Sequence, residues 1–219
     1  MNVLVFGATG SAGGSVLEAC LGAASVREVR SITRRAIESE SPKLRPYVHS
    51  DFVNYDTVQD AFRDLDACFF CLGVSVTQVP DEAEYRRITV DYAVAAAGAL
   101  QRDSPSALFH FLSGAGTRVD GRYMWARVKG QAEQQLMKSA AAVCWRPAFI
   151  DGAVSSTGVW YNGALRPLFR LLKPFKSMYV SGDDLGRAML QATREGMTRR
   201  VIENAEIREL AARWNGDRT

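Results

Sequence analysis

The chain has 219 residues, of which 47% are hydrophobic and 23% are charged, as is usual for a globular protein that buries a core. Its formal net charge of +3 is too small to indicate nucleic-acid binding, and no stretch reaches the ~18 apolar residues of a membrane span. The length predicts one domain over residues 1–219, and the absence of a basic region before the first apolar run predicts a cytosolic protein.

The first fourteen residues, MNVLVFGATGSAGG, contain an apolar run that stops at a cluster of glycines. Residues 3–6 are predicted to form a buried parallel strand, and a helix-compatible stretch follows the glycines. A glycine turn at such a junction lets backbone N–H groups approach a pyrophosphate, which then lies at the positive end of the helix. The spacing is G-x-x-G-x-x-G, and its position between strand and helix favours a nucleotide site over a simple turn. The predicted site comprises Gly7, Thr9, Gly10, Ser11, Ala12 and Gly13.

Predicted strands and helices alternate along the rest of the chain. Strands are predicted over 28–33, 47–49, 66–72, 107–112, 141–145 and near 200–202, and helices over 57–64, 82–102, 123–139, 182–195 and 205–214. The alternation predicts an α/β fold, a Rossmann-like doubly wound parallel sheet. Residues 151–180 have no long period and are predicted to be a small substrate-side insertion. The aromatic and basic residues of 159–179 leave a substrate lid, a subunit contact, a membrane surface or an acidic partner open.

Cys68 and Cys71 form a C-x-x-C pattern that is also found in zinc and redox sites. Because residues three apart on a strand point to opposite faces, the two sulfur atoms are not expected to converge. We therefore predict buried reduced thiols rather than a metal site. His110 lies in the middle of a predicted strand, which favours a core histidine over a catalytic one.

Ligands of doubly wound sheets bind beyond the carboxyl ends of the strands. This rule brings together Gly7, Gly13, Arg34, Asp51, Cys71, Gly73, Ser113 and Arg146. Arg34 and Arg35 follow the second strand, where an acidic residue would bind the ribose of NAD. Since arginine suits phosphate recognition, this position favours NADP over NAD, against the alternative of two solvated charges.

The chain resembles the atypical branch of the short-chain dehydrogenase/reductase superfamily, and within it the Tat-interacting-protein-like NAD(P)-binding oxidoreductases. The likeness covers nearly the whole chain and is carried by residues 7–13, 71–73, 112–113, 128–133 and 146–147. The resemblance implies that Asp51 meets the adenine. It also implies that Cys71, Leu72, Gly73, Arg146 and Pro147 contribute to the cofactor site.

The family's catalysis uses Ser, Tyr and Lys, with Tyr and Lys spaced Y-x-x-x-K on one helix. Residues four apart share a helix face, and the lysine charge lowers the pKa of the phenol that exchanges a proton with a carbonyl oxygen. The resemblance implies catalytic roles for Ser113 and Lys129, with Lys129 also at the nicotinamide ribose. Trp125 holds the tyrosine position, and its indole does not titrate. The alignment predicts that Trp125 lies over Lys129 and meets the nicotinamide, whereas Tyr123 points away.

Two functions follow. The first is an NADP-dependent oxidoreductase acting on an unidentified small carbonyl or alcohol. The second is a catalytically silent NADP(H)-binding regulatory or scaffold protein. Either one allows a homodimer or a protein partner, and neither involves nucleic acid or an integral membrane segment.

Overall fold

The computed structural model describes residues 1–151, 177–198 and 200–215. Within these ranges, seven parallel strands form one sheet. They are β1 (Asn2–Phe6), β2 (Glu28–Thr33), β3 (Leu44–Val48), β4 (Ala67–Phe70), β5 (Leu108–Leu112), β6 (Ala142–Arg146) and β9 (Arg200–Glu203). Their order across the sheet is β3-β2-β1-β4-β5-β6-β9. Two short parallel strands, β7 (Phe149–Asp151) and β8 (Tyr179–Ser181), pair beside this sheet.

The helices pack on both faces of the sheet. They are α1 (Ser11–Gly22), α2 (Glu82–Arg86), α3 (Tyr92–Asp103), α4 (Met124–Ser139), α5 (Gly182–Arg194) and α6 (Asn204–Arg213). A π-helical segment, Arg87–Asp91, joins α2 to α3, and 3-10 helices span Asp56–Phe62 and Val76–Gln78. The predicted α/β doubly wound sheet is confirmed. Apart from its ends, the predicted insertion at 151–180 lies outside the described residues.

The first strand shows why an uninterrupted apolar run was needed. All five of its residues are buried. Leu4 and Phe6 join the core cluster under α2, α3 and α4, whereas Val3 and Val5 join the cluster under α1, α5 and α6. A strand covered by helices on both faces has no side that faces water, so alternation of polar residues would not fit.

Cys68 and Cys71 lie on opposite faces, as their spacing predicted. Cys68 belongs to the core cluster under α2, α3 and α4, and Cys71 packs against the other cluster. Both thiols are free, and burial raises the pKa of Cys71 to about 12. At neutral pH the Cys71 thiol therefore stays protonated.

His110 is a core histidine, as predicted, and its surroundings fix its tautomer. The Trp145 indole N–H donates to His110 Nδ1 over 3.1 Å, so Nδ1 carries no proton. His110 Nε2 lies 3.1 Å from Thr193 Oγ1, whose own hydrogen is donated to the Met189 carbonyl. Nε2 is consequently the protonated nitrogen, and burial lowers the pKa of His110 to about 3.

The two edge strands differ from the central ones. In β3, Arg45 and Pro46 are exposed, and at the opposite edge Arg200 and Glu203 of β9 are exposed. Over the described part of the chain, none of the helices has the length and apolar character needed to cross a membrane.

Candidate functional site

The turn after β1 has a shape that only glycine accommodates. Gly7 has φ +73°, and a Cβ atom on it would lie 2.6 Å from the Cys71 carbonyl oxygen. A Cβ on Gly13 would lie 2.2 Å from the Gly7 carbonyl oxygen. The turn is closed by the Gly10 N–H, which donates to that same oxygen over 2.9 Å. β1, the segment after β4 and the start of α1 therefore approach closely at this point.

The N-terminus of α1 opens directly from this turn. Gly10 is its N-cap residue, with an extended backbone (φ −86°, ψ 167°) and no side chain that caps the helix. Free N–H groups and the helix dipole make such an end favourable for an anion. Gly10, Ser11, Ala12 and Gly13 line the adjacent cleft, whereas Thr9 is exposed and does not.

This cleft has a volume of about 590 Å³ and runs along the carboxyl ends of the central strands. Its walls come from the glycine turn, from the segments that follow β4, β5 and β6, and from two helices. The sequence-predicted residues that line it are Gly10, Ser11, Ala12, Gly13, Cys71, Leu72, Gly73, Ser113, Lys129 and Pro147. The structure thus brings most of the predicted cofactor residues and both predicted catalytic residues to one cavity.

Ser113 and Lys129 meet at the carboxyl end of β5. Lys129 Nζ donates to the Ser113 carbonyl oxygen over 2.7 Å. Ser113 Oγ lies 3.0 Å from Thr117 Oγ1, and the Thr117 hydrogen is donated to the Gly114 carbonyl. The Ser113 hydroxyl therefore donates to Thr117, which leaves its oxygen lone pairs as acceptors.

The Lys129 ammonium is held in a poorly solvated position. Burial lowers its pKa to about 8, although the nearby Glu133 carboxylate opposes that shift. Desolvation disfavours the charged amine, while an opposite charge favours it. A lysine with this pKa is present in both protonation states slightly above neutral pH.

Arg146 was expected in the cofactor site, but its guanidinium is held elsewhere. It forms a bidentate pair with Glu133, at 2.6 and 3.0 Å, and contacts Glu203 at 3.0 Å. These carboxylates raise its pKa, and the residue does not line the cleft, although Pro147 beside it does. Arg146 ties β6 to α4 and β9 because its planar fork matches the Glu133 carboxylate.

The expected position of Trp125 is also corrected. Trp125 precedes Lys129 by four residues on α4, yet it does not line the cleft. Its ring stacks on Tyr123, with centroids 6.3 Å apart and planes 10° apart, and a methyl group placed on Gly116 would lie 3.5 Å from it. Trp125 also packs against the core cluster under α2, α3 and α4. Tyr123, which was predicted within the helix, instead precedes it as the N-cap residue of α4 and is 61% exposed.

Three charged residues predicted to bind the cofactor lie outside the cleft. Arg34 and Arg35 are exposed directly after β2. Asp51 is exposed after β3, where its side chain accepts from the Val53 N–H over 3.1 Å. Because β1, β2 and β3 are parallel, these residues lie at the carboxyl ends of the strands, as the glycine turn does.

The sequence did not indicate two cleft residues, Tyr85 and Thr89. Tyr85 lies on α2 and is 2% exposed; Thr89 lies in the π-helical segment and is 5% exposed. Burial raises the pKa of Tyr85, and the neighbouring Thr89 side chain partly opposes that shift. Tyr85 and Thr89 are four residues apart in the predicted helix after residues 71–73, and this i, i+4 spacing could have indicated that both hydroxyl groups lie on one helix face. The π turn that presents Thr89 has no such pattern.

No family model matches the chain. In sequence it is 25% identical to Protein FMP52, mitochondrial, of Eremothecium gossypii over 98% of this chain and 99% of that protein. In structure it is similar to the Bordetella bronchiseptica enzyme WbmF in complex with NAD+, with a TM-score of 0.70 and 14% identity over 98% of this chain and 77% of that one.

A second similar structure is an oxidoreductase of the short chain dehydrogenase/reductase family from Burkholderia thailandensis. The TM-score is 0.69, with 12% identity over 94% of this chain and 92% of that one. Both likenesses extend over nearly all of the chain, and the parallel sheet and glycine turn lie within it. The chain therefore has the fold of the short-chain dehydrogenase/reductase superfamily, as its sequence motifs predicted.

Proposed function

We propose that the chain is an NADP(H)-binding oxidoreductase of the atypical short-chain type that acts on a small carbonyl or alcohol. One observation carries the proposal: the glycine turn and the Ser113–Lys129 pair open into the same cleft. The glycine turn would bind the pyrophosphate of a nicotinamide dinucleotide, and the Ser113–Lys129 pair at the end of β5 would lie at its nicotinamide end. The structurally similar enzyme WbmF forms complexes with NAD+ and with NADH, which supports a nicotinamide dinucleotide as the cofactor of this chain.

The residues present fit such a cofactor. The turn at Gly7 and Gly13 has no room for a Cβ, and the uncapped start of α1 offers N–H donors to a pyrophosphate. Asp51 would meet the adenine, while Cys71, Leu72, Gly73 and Pro147 would lie along the cofactor. When bound, the nicotinamide supplies the hydride.

Lys129 would position the nicotinamide ribose. Ser113 would orient the substrate oxygen: its lone pairs can accept from an alcohol, and its hydroxyl would turn from Thr117 to donate to a carbonyl. Arg34 and Arg35 would hold the 2′-phosphate. Both are exposed directly after the carboxyl end of β2, and neither position is occupied by an acidic residue. This arrangement favours NADP over NAD.

Binding of NADPH, measured by calorimetry, tests the proposal through Gly10→Leu. Gly10 has an extended backbone that any residue can adopt, and a Cβ there would lie 3.2 Å from the Gly7 carbonyl oxygen. The added side chain should therefore enter the cleft with a shift of a few tenths of an ångström in the turn. We expect the variant to weaken NADPH binding about tenfold or more. Gly22→Leu is the matched control, because Gly22 is exposed and a Cβ there meets no atom within 4 Å. Equal binding by Gly10→Leu and the control would contradict the site.

The silent NADP(H)-binding protein is the second candidate, and Trp125 favours it. The position that carries a phenol in the related reductases holds an indole that lies outside the cleft. A protein of this kind would bind NADPH yet reduce none of a panel of small aldehydes and ketones.

The cytosolic location of this chain, predicted from the sequence, is tested by cell fractionation, since the name of the relative places that protein in mitochondria.

A further inference from the structure

The proposed reaction needs a proton donor, and the phenol that usually supplies it is absent from position 125. Among the described residues that line the cleft, transferable protons are carried by Ser11, Cys71, Tyr85, Thr89, Ser113 and Lys129. Three of these are aliphatic hydroxyls, which are much weaker acids than a phenol or an ammonium. Within the part of the cleft that the structure describes, the candidate donors are therefore Cys71, Tyr85 and Lys129.

Cys71 and Tyr85 are poorly suited to the task. Burial raises the pKa of Cys71 to about 12 and moves the pKa of Tyr85 above its ordinary value. A general acid works best when its pKa lies near the operating pH, and both groups lie well above it.

Lys129 is placed differently. Its Nζ lies against the backbone of Ser113 and Gly114 at the carboxyl end of β5, with one hydrogen donated to the Ser113 carbonyl. An ammonium has three donors, and no second partner of Lys129 exists among the described residues. Two N–H bonds thus remain for a ligand, beside the serine that would orient a substrate oxygen.

We propose that the Lys129 ammonium itself donates the proton in carbonyl reduction at this site. This assignment rests on the proposed function. In the forward step a Lys129 Nζ–H bond would break as its proton passes to the carbonyl oxygen, while the carbonyl carbon would receive the hydride that a bound reduced nicotinamide supplies. The products are the alcohol, the oxidised nicotinamide and neutral Lys129, which then recovers a proton from solvent.

The charges around Lys129 are compatible with this cycle. On its own helix, Glu133 favours the protonated form but is shared with Arg146 of β6. Tyr85 from α2 and Cys71 from the segment after β4 face the same cleft and are neutral at physiological pH because their pKa values are raised. With its pKa near 8, Lys129 can give up a proton and regain it in each turnover.

The activity test compares Lys129→Arg with Lys138→Arg, using NADPH and two probes, 4-nitrobenzaldehyde and 9,10-phenanthrenequinone. Arginine keeps the positive charge but does not release a proton at accessible pH. Because Lys129 would also contact the nicotinamide ribose, we expect Lys129→Arg to weaken NADPH binding severalfold by fluorescence. At saturating NADPH it should lose about 10²-fold or more in probe reduction. Lys138 is exposed at the end of the same helix, so its variant should be unchanged.

A second readout needs neither substrate nor cofactor. Acetylation of each lysine by acetic anhydride, followed peptide by peptide in the unliganded protein from about pH 6 to 10, measures when each amine becomes neutral. Lys129 should become reactive with a midpoint near 8. A midpoint at the ordinary lysine value of about 10.4 would overturn the assignment.

The remaining outcomes are also decisive. Loss of probe reduction in Tyr85→Phe, with reduction kept in Lys129→Arg, assigns the proton to the phenol and overturns the proposal. Wild-type protein that binds NADPH but reduces neither probe removes the catalytic role and leaves the silent binding protein. Absence of NADPH binding removes the cofactor assignment as well.

Discussion

At the scale of single residues, the site combines a familiar glycine turn with an unfamiliar acid. Gly7 and Gly13 sit where any other residue would collide with backbone, so the turn requires glycine by geometry. Lys129 lines the cleft as expected, but Trp125, four residues earlier on the same helix, does not. The spacing of residues on α4 therefore predicted the location of the amine and not the direction of the indole.

The choice between NADPH and NADH is expected to depend on Arg34. Its exposed guanidinium follows β2, and a charge-assisted contact to a 2′-phosphate is worth about 1.5–3 kcal/mol. Arg34→Ala should therefore lose its preference for NADPH in calorimetric titrations, whereas Arg122→Ala, at another exposed arginine, should keep it. Equal affinity of the wild type for NADH and NADPH would refute the idea.

Placing a phenol at position 125 should have little effect on catalysis. In the structure a ring at this position stacks on Tyr123 and lies near Gly116, away from the cleft. Trp125→Tyr should thus fall far short of the gain of about 10²–10⁴-fold that a well-placed general acid provides. Rates of probe reduction with NADPH test this, and a gain within that range would show that the loop after β5 lets the ring reach the cleft.

At the scale of elements, the end of β6 is clamped between α4 and β9. Arg146 reaches Glu133 on one side and Glu203 on the other, and Glu133 is 2% exposed. Glu133 also faces Lys129, one turn earlier on α4. This one carboxylate connects the packing of the sheet to the protonation state of the cleft amine.

Glu133→Gln is expected to lower the free energy of unfolding by about 3 kcal/mol, because it breaks a largely buried ion pair and leaves Arg146 incompletely paired. It should also lower the pKa of Lys129 further, since the favourable charge is lost. Urea denaturation and the acetylation midpoint measure the two effects. Asp120→Asn is the control, because the Arg118–Asp120 pair is 70% exposed on both sides and such pairs contribute at most about 1 kcal/mol.

Most elements could be predicted from periodicity, and the exceptions have physical causes. β2 was predicted with the bounds observed, Glu28–Thr33, because a buried strand following a polar loop has clear ends. β3 begins at Leu44, three residues before the predicted start, since an edge strand containing Arg45 and Pro46 lacks the apolar run of a central strand. The helix predicted over 82–102 is interrupted by a π turn, which side-chain pattern does not encode.

At the scale of the whole molecule, a neutral histidine on one face of the sheet joins two neighbouring strands to a helix that covers that face. His110 on β5 accepts from Trp145 on β6 and donates to Thr193 on α5. The sequence indicated that His110 was buried, because it lies mid-strand between two phenylalanines. Its partners are 35 and 83 residues away along the chain, and only the folded topology brings them together.

Stability is expected to fall with acid because of His110. Its pKa in the folded chain is about 3, below the ordinary value of 6.5, so the unfolded chain binds the proton first as pH falls. The contribution is fully present above about pH 6.5 and is lost progressively down to about pH 3. Between pH 7.5 and 5 the loss should be about 2 kcal/mol.

The measurement is urea denaturation at a series of pH values. His110→Gln keeps a donor and an acceptor but does not titrate, so its stability should fall less steeply than that of the wild type over this range. Parallel slopes for the two proteins would show that His110 is not the responsible group. The two proteins are compared by how steeply their free energy of unfolding changes with pH, because the substitution itself also lowers that free energy by an amount that does not depend on His110 titration.

The edges of the sheet bear on how two copies could associate. Pro46 in β3 has no N–H to give to a neighbouring strand, and Arg45 beside it would be desolvated by one. At the far edge, β9 presents Arg200 and Glu203 to solvent. Strand addition is therefore disfavoured at both edges of the seven-stranded sheet. A continuous intermolecular sheet, the usual first step toward ordered aggregates, is opposed by the sequence of the edge strands themselves.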